Sequence, residues 1–325
     1  MSKDWKQQSV FIAGLGSIGL RHLRALQALD VKNISAFDPV PASVTKALDI
    51  YPQLQIRSSY EEGLAAGPDG VFILTPPKMH IPMILQALDS GCNVFCEKPL
   101  SDTLDGTVEL SHKLSCISNK LCIGLCFRYH RGIQRAKALL ESGAVGRIVS
   151  IRSLMGEHFP SVRPDYKTLF SARYSGAFDL MHDLDLAIWF ADQPISQIYS
   201  VYGSYSDIGI KAPDVAEILI GFADRCTATV HLDFFQRPRR RQIELICTEG
   251  CILVDFSTWD QCTLSTYRTN NEAWETETFA TDRDDMFREE DQAFLESIAG
   301  NSHTQVYGME DAMLSLNALH QIQNR

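Results

Sequence analysis

Val10-Phe11-Ile12-Ala13-Gly14-Leu15-Gly16-Ser17-Ile18-Gly19 runs an apolar strand straight into a G-x-G-x-x-G turn. Asp38 follows nineteen residues after Gly19, at the end of a second apolar run, Ile34-Ser35-Ala36-Phe37. Each part has its own physical task. Gly14 permits the tight strand-to-helix turn, Gly16 lets the backbone approach a pyrophosphate, and Gly19 lets the helix pack close to the strand. The N–H groups at the helix start, Ser17 and Ile18 among them, are placed to hold the phosphates. Asp38 is placed to accept hydrogen bonds from an adenosine ribose, and its charge repels a 2′-phosphate. The stretch predicts a βαβ dinucleotide site, with NAD as the cofactor and NADP as the alternative.

With 325 residues, 45% of them hydrophobic, the chain is long enough for two domains. It has no apolar run long enough for a membrane helix, and residues 1–8 lack the apolar stretch of a signal peptide, so a cytoplasmic protein is expected. The net charge of −10 argues against nucleic-acid or anionic-membrane partners. One basic run, Arg237-Pro238-Arg239-Arg240-Arg241, departs from that sign. It reads either as a solvated strand edge or interface, or as part of an anionic substrate pocket. The nine cysteines include C-x-x-x-C pairs such as Cys122/Cys126, but these lie in apolar, strand-like text. Buried thiols are expected there, and no metal site.

From Ser9 to Cys126, short apolar runs alternate with amphipathic stretches. Strands are predicted at 10–13, 34–37, 55–57, 71–74, 94–96 and 121–125, and helices at 18–29, 81–88 and 104–115. That alternation predicts a doubly wound parallel sheet occupying residues 1–126. In residues 127–325 the text changes. A strand at 148–154 leads to a polar, aromatic loop (156–174) and a helix near 177–190. Closely spaced strands follow at 198–204, 216–222, 227–234, 242–247 and 252–256. These predict a second α/β domain with a largely antiparallel, open sheet. Two helices between 284 and 322 close the chain, and the C-terminal one is free to pack back on the first domain. A cleft between the two domains is expected.

The strongest second signal is Glu97-Lys98-Pro99, at the end of the fifth predicted strand and so at the cofactor edge of the sheet. A lysine there can hydrogen-bond a substrate hydroxyl, and partial desolvation brings its pKa toward proton-transfer range. Proline beside it fixes the backbone. Standing alone, the tripeptide would read as a surface lysine in a salt bridge. Asp179, His182 and Asp185 share i, i+3, i+6 spacing, which on one helix puts them roughly on one face. A carboxylate beside a histidine suits a general base. Without context, that segment reads as a helix with an acidic start and a packed histidine.

Taken together, these motifs resemble the Gfo/Idh/MocA family of oxidoreductases. The matching segments are Gly14–Gly19 with Arg21-His22, Thr75-Pro76-Pro77 with His80, and Glu97-Lys98-Pro99-Leu100-Ser101. Further matches are Phe127-Arg128-Tyr129-His130, Gly143-Ala144-Val145-Gly146, the Asp179/His182/Asp185 segment, and Thr248-Glu249-Gly250-Cys251-Ile252. The resemblance implies a Rossmann domain, and a second α/β domain whose open sheet makes a homodimer or homotetramer interface. It also implies NAD(P)-dependent oxidation or reduction of a sugar, polyol or sugar acid. It places the catalytic lysine on Lys98 and the catalytic histidine on His182, with Asp179 or Asp185 as its orienting partner. Thr75, Pro76, His80 and Glu97 fall on the cofactor side. Two departures concern that partner: Phe178 stands where many members carry aspartate, and Ser175-Gly176 replaces a Gly-Gly pair.

For the substrate, Arg128, His130, Asp185 and the 156–174 loop are informative. That loop carries Glu157, His158, Arg163, Asp165, Tyr166, Lys167, Arg173 and Tyr174, a mixture suited to hydroxyls. Its arginines leave room for an anionic substrate. The expected chemistry is hydride transfer at a secondary carbinol, with His182 moving the proton and Lys98 stabilising the oxygen. Two alternatives are transient oxidation that drives elimination or glycoside cleavage without net redox change, and a nucleotide-sensing regulator without turnover.

Overall fold

The computed structural model describes residues 4–170, 175–301 and 303–324. The chain forms two compact units: residues up to 129 together with 284–316, and residues 130–283 together with 317–325. The division therefore lies after Tyr129 rather than at residue 126, and the first unit is assembled from two separated stretches of chain.

In the first unit, β1 (Ser9–Ala13), β2 (Asn33–Phe37), β3 (Gln55–Ile56), β4 (Gly70–Ile73), β5 (Asn93–Glu97) and β6 (Leu121–Gly124) pair in the order β3-β2-β1-β4-β5-β6. Every pairing is parallel. Helices α1 (Ser17–Ala28), α2 (Pro41–Ile50), α3 (Tyr60–Ala65), α4 (His80–Asp89) and α5 (Thr107–Cys116) connect the strands. Buried parallel strands need apolar residues on both faces. Val10 to Ala13, and all of β4, are accordingly buried without a break. Strand order reverses between β1 and β4, the position where such sheets bind nucleotides beyond their carboxyl ends.

The second unit opens with α6 (Arg131–Glu141) and β7 (Ile148–Gly156), followed by two single-turn helices, α7 (Phe159–Val162) and α8 (Tyr166–Leu169). Then come a 3-10 turn (Gly176–Leu180), α9 (His182–Ala191), β8 (Ile195–Gly203), β9 (Val215–Phe222), β10 (Thr227–Asp233), β11 (Arg240–Cys247), β12 (Gly250–Asp255), β13 (Gln261–Arg268) and β14 (Ala273–Ala280). The eight strands pair in the order β14-β13-β12-β11-β7-β10-β9-β8, antiparallel except for β10 with β7. Burial alternates along β9, β11 and β12, so one face is packed and the other is open. Strands β13 and β14 lie beyond those expected from the sequence.

Helices α10 (Asp285–Ile298) and α11 (Met309–Gln323) end the chain. Helix α10 belongs to the first unit. Its Phe294 ring lies 5.3 Å from Phe72 of β4 and 5.8 Å from Phe95 of β5, and those two rings stack at 4.9 Å. All three side chains are buried. Burying a phenylalanine contributes roughly 1.5–3 kcal/mol, so this cluster is a major fastening of α10. Seven of the nine cysteines are also buried, which pushes the Cys122 and Cys247 thiols up to about 12.

Candidate active site

The glycine turn follows β1 as a physical necessity. Gly14 has φ +102°, and a Cβ on it would lie 2.7 Å from the Leu74 carbonyl oxygen. A Cβ on Gly19 would fall 2.0 Å from the Gly14 carbonyl oxygen. Gly16 is different: a Cβ there would meet no atom within 4 Å. Gly16 caps α1 without a side-chain hydrogen bond, and Gly16, Ser17 and Ile18 are exposed. An uncapped helix start beneath open backbone is a cradle for a phosphate.

Asp38 sits just past β2, half-buried. Its Oδ2 accepts the Leu15 N–H at 2.6 Å and its Oδ1 accepts the Val40 N–H at 2.8 Å. The Gly14 N–H donates to the Phe37 carbonyl at 2.9 Å, so the glycine turn is tied to the end of β2 twice. A carboxylate keeps lone pairs beyond two such bonds, which a ribose diol can use. Open backbone at Gly16, the uncapped α1 start and Asp38 thus fit a nicotinamide dinucleotide.

Thr75 and Pro76 follow β4, Glu97 ends β5 and Lys98 comes directly after it, so all four stand at the same carboxyl edge of the sheet. His80 is buried, with Nδ1 2.8 Å from the Pro99 carbonyl oxygen and Nε2 2.7 Å from that of Thr75. It ties the two strand ends together. Burial pushes its pKa down, while the two carbonyls push it up, and burial prevails. The Lys98–Pro99 bond is cis and Lys98 is half-buried. Glu97 is buried; its Oε2 accepts the Lys98 N–H at 2.9 Å.

In the second unit, His182 is the first residue of α9 and is half-buried. Asp179 belongs instead to the preceding 3-10 turn, with Met181 between the two elements. The expectation of one continuous helix face for Asp179, His182 and Asp185 is therefore corrected. The break has a backbone cause. Gly176 has φ +73°, a Cβ on it would lie 2.2 Å from the Pro213 carbonyl oxygen, and Ala177 N–H donates to that same oxygen at 2.8 Å. The turn is thereby held before α9 begins. Asp185 is buried.

One residue that sequence reasoning passed over is Asp183, next to His182 and fully buried. Arg241 of β11 grips it through Nε at 3.1 Å and Nη2 at 2.5 Å. Nothing local announces this pair; its members are 58 residues apart. Arg241 is thus an internal fastening of α9 rather than a solvated edge. Arg239 donates to the Phe256 carbonyl at 3.0 Å, lies 4.2 Å over the Trp259 ring and 3.5 Å from Glu157, and burial pulls its pKa down to about 10.

Of the expected substrate residues, Arg128 is fully buried, donating to Asp311 at 2.6 Å and lying 4.6 Å over Tyr307. That is a structural setting. His130 is half-buried with its ring 5.3 Å from Phe256. The Tyr166 hydroxyl donates to the Ile208 carbonyl at 2.6 Å. The loop that carries Tyr166 is anchored by Phe159 and Phe170, whose rings lie 4.1 and 4.6 Å from Phe234. Arg173 and Tyr174 lie outside the described residues.

Residues 9–124 match the family model described as oxidoreductase family, NAD-binding Rossmann fold, and residues 133–253 match the Gfo/Idh/MocA C-terminal domain. The chain belongs to the Gfo/Idh/MocA oxidoreductases. Among curated relatives, it is 26% identical over 235 residues to an uncharacterized oxidoreductase, YrbE, of Bacillus subtilis (strain 168), covering 69% of this chain and 67% of that one. It is 28% identical over 217 residues to inositol 2-dehydrogenase of Corynebacterium glutamicum (strain R), covering 64% of this chain and 62% of that enzyme's length. Among solved structures, myo-inositol 2-dehydrogenase from Lactobacillus plantarum superposes with a TM-score of 0.83 at 21% identity, over 98% of this chain and 96% of that one. UDP-N-acetylglucosamine 3-dehydrogenase GnnA from Acidithiobacillus ferrooxidans gives 0.79 at 20%, over 98% and 97%. At these identities the structural likeness speaks for the fold.

Proposed function

We propose that this Gfo/Idh/MocA member is a dehydrogenase that oxidises a secondary hydroxyl of a polyol or sugar, with NAD preferred over NADP. The observation that carries the reading is the row of strand ends in the first unit. The phosphate cradle at Gly16, the ribose acceptor Asp38 and Lys98 all sit at one sheet edge. The inositol 2-dehydrogenases among the relatives favour a polyol. When bound, the nicotinamide supplies the hydride acceptor at C4.

The chain's own groups then have distinct tasks. Lys98 hydrogen-bonds the reacting oxygen and stabilises negative charge as the C–H bond breaks. His182 takes the hydroxyl proton and passes it to solvent, leaving a carbonyl. Asp179 or Asp185 orients the imidazole. We assign the second-domain sheet to a homodimer interface, because Tyr199 and Leu219, cross-strand partners on β8 and β9, are about half exposed together with Val201. Sedimentation showing a monomer at micromolar concentration would sink that assignment.

The test of the reaction is absorbance of reduced nicotinamide during incubation with inositols, aldoses and sugar acids, each with NAD and NADP. Net accumulation with at least one polyol is expected. Lys98→Met and His182→Ala should each lower kcat/KM by roughly a hundredfold or more, in the range of lost acid–base catalysis. Consumption of substrate without net reduced nicotinamide would favour transient oxidation instead. No turnover of any compound would leave the nucleotide-sensing reading.

A further inference from the structure

Beneath Glu97 lies a buried chain of charged groups that hydride transfer itself does not use. His22 of α1 is fully buried; its Nε2 stands 3.3 Å from Glu97 Oε1 and its Nδ1 stands 2.8 Å from Asp291 Oδ1. Asp291 is fully buried on α10. Beside them is Glu290, 1% exposed, and neither of its carboxylate oxygens has a hydrogen-bond partner among the described residues. A ring nitrogen of His22 and one carboxylate oxygen each of Glu97 and Glu290 all lie within 4.8 Å of one another.

The surroundings are aromatic. The rings of Phe95, Phe287 and Phe72 stand 5.2, 5.4 and 5.9 Å from the imidazole. Apolar side chains would suit such a place at lower cost, since burying ionised groups costs several kcal/mol each and a buried ion network is often no more stable than an apolar substitute. The geometry shows what the network holds. Both partners of His22 are carboxylates, so both ring nitrogens donate only when the imidazole is protonated. Burial alone would lower its pKa, but Asp291 and Glu97 outweigh burial and raise it well above the ordinary value. Burial likewise drives the Glu290 pKa well up, toward its neutral acid. The imidazolium then fixes one oxygen of Glu97, and the other oxygen fixes the N–H of Lys98.

We infer that Asp291 and His22 are positioning residues, which act through Glu97 to hold the Lys98 backbone in register for catalysis. The inference rests on the reading of Lys98 given above. Its consequence is that a helix 269 positions from His22 in sequence helps to set the catalytic rate. Asp291→Asn keeps an acceptor for Nδ1 but removes the charge that holds His22 protonated; His22→Gln removes the imidazolium.

The experiment measures kcat, KM for NAD, the deuterium isotope effect at the carbinol C–H and the melting temperature. The substrate is whichever compound reduces nicotinamide fastest in the screen above. Expected for both variants is a kcat lowered about tenfold or more with KM for NAD within threefold. The isotope effect should rise, because the chemical step has slowed; the melting temperature falls as well, since each variant breaks a buried ion pair, so kcat is read per folded enzyme. A merely structural role would lower the melting temperature and leave the kcat of the folded fraction unchanged, which would overturn the inference. If neither variant folds, Glu97→Gln supplies the same readout, and a wild-type kcat there overturns it as well. One equivalent of tightly held divalent metal in the purified protein would also overturn it, since an ion rather than a protonated His22 would then fix Glu97. If Lys98→Met retains full turnover, the reading of Lys98 fails first. If Lys98→Met is inactive while both positioning variants match the wild type, only this inference fails.

Discussion

The Asp38 carboxylate accepts the Leu15 N–H at 2.6 Å. The side chain we assign to the ribose therefore also anchors the glycine turn, and the two tasks should separate by mutation. Asp38→Ala removes both, and KM for NAD should rise at least tenfold, since a hydrogen bond to a charged group contributes about 1.5–3 kcal/mol. Asp38→Asn keeps an acceptor for Leu15 but loses the charge, so the ratio of NADP to NAD efficiency should increase. Steady-state kinetics with both cofactors checks this; an unchanged ratio in Asp38→Asn would show that the carboxylate does not face the ribose.

Gly16 and Gly19 make opposite predictions although they belong to one motif. Alanine at Gly16 meets no protein atom within 4 Å, so the fold should hold while dinucleotide affinity falls at least tenfold. Alanine at Gly19 lands 2.0 Å from a backbone oxygen and should cost about 3 kcal/mol or more of stability. Thermal melts paired with titration of NAD separate the two outcomes.

The Asp183–Arg241 pair is almost sealed from solvent, at 0% and 4% side-chain exposure. Removing one partner strands a buried charge, so Arg241→Met should destabilise by about 3–5 kcal/mol. The double variant Asp183→Leu/Arg241→Met should recover part of that loss. Urea denaturation of the three variants measures the coupling, and additive losses would refute it.

His231, on the open face of the second sheet, contacts Asp233 at 2.9 Å and Glu217 at 2.5 Å, and these bonds raise its pKa from 6.5 to about 9. A raised value in the folded state means that the stabilisation is complete below about 6.5 and fades as pH climbs through about 9. Allowing for its partial exposure, the loss is on the order of 1 kcal/mol. Stability measured from pH 6 to 9.5 should show this decline in the wild type and a flatter curve in His231→Gln.

Much of the fold is legible because its elements carry local signatures. The parallel strands are unbroken apolar runs, and Gly14 and Gly19 are demanded by contacts within their own βα unit. Strands β13 and β14 are harder to read. Thr263 and Ser265 interrupt β13, and β14 at the sheet edge is almost wholly exposed, so neither shows a strong hydrophobic signal. Lys98 could be placed because it directly follows a readable strand. The partners that matter to it could not be: Asp291 reaches His22 across 269 positions, as Arg241 reaches Asp183 across 58. A motif also does not reveal depth, which is why Arg128, expected at the substrate, lies fully buried against Asp311.

The return of α10 to the first unit has a consequence for how that unit comes into being. Phe72 and Phe95 emerge from the ribosome about 200 residues ahead of Phe294, which covers them. Until then the nascent nucleotide-binding half displays an uncovered aromatic surface and a histidine lacking one of its two carboxylate partners. It must be sheltered, or wait, while the whole of the second sheet is synthesised. A fragment ending at residue 129 would never be released from that condition, and should be recovered as aggregate rather than as a small cofactor-binding protein.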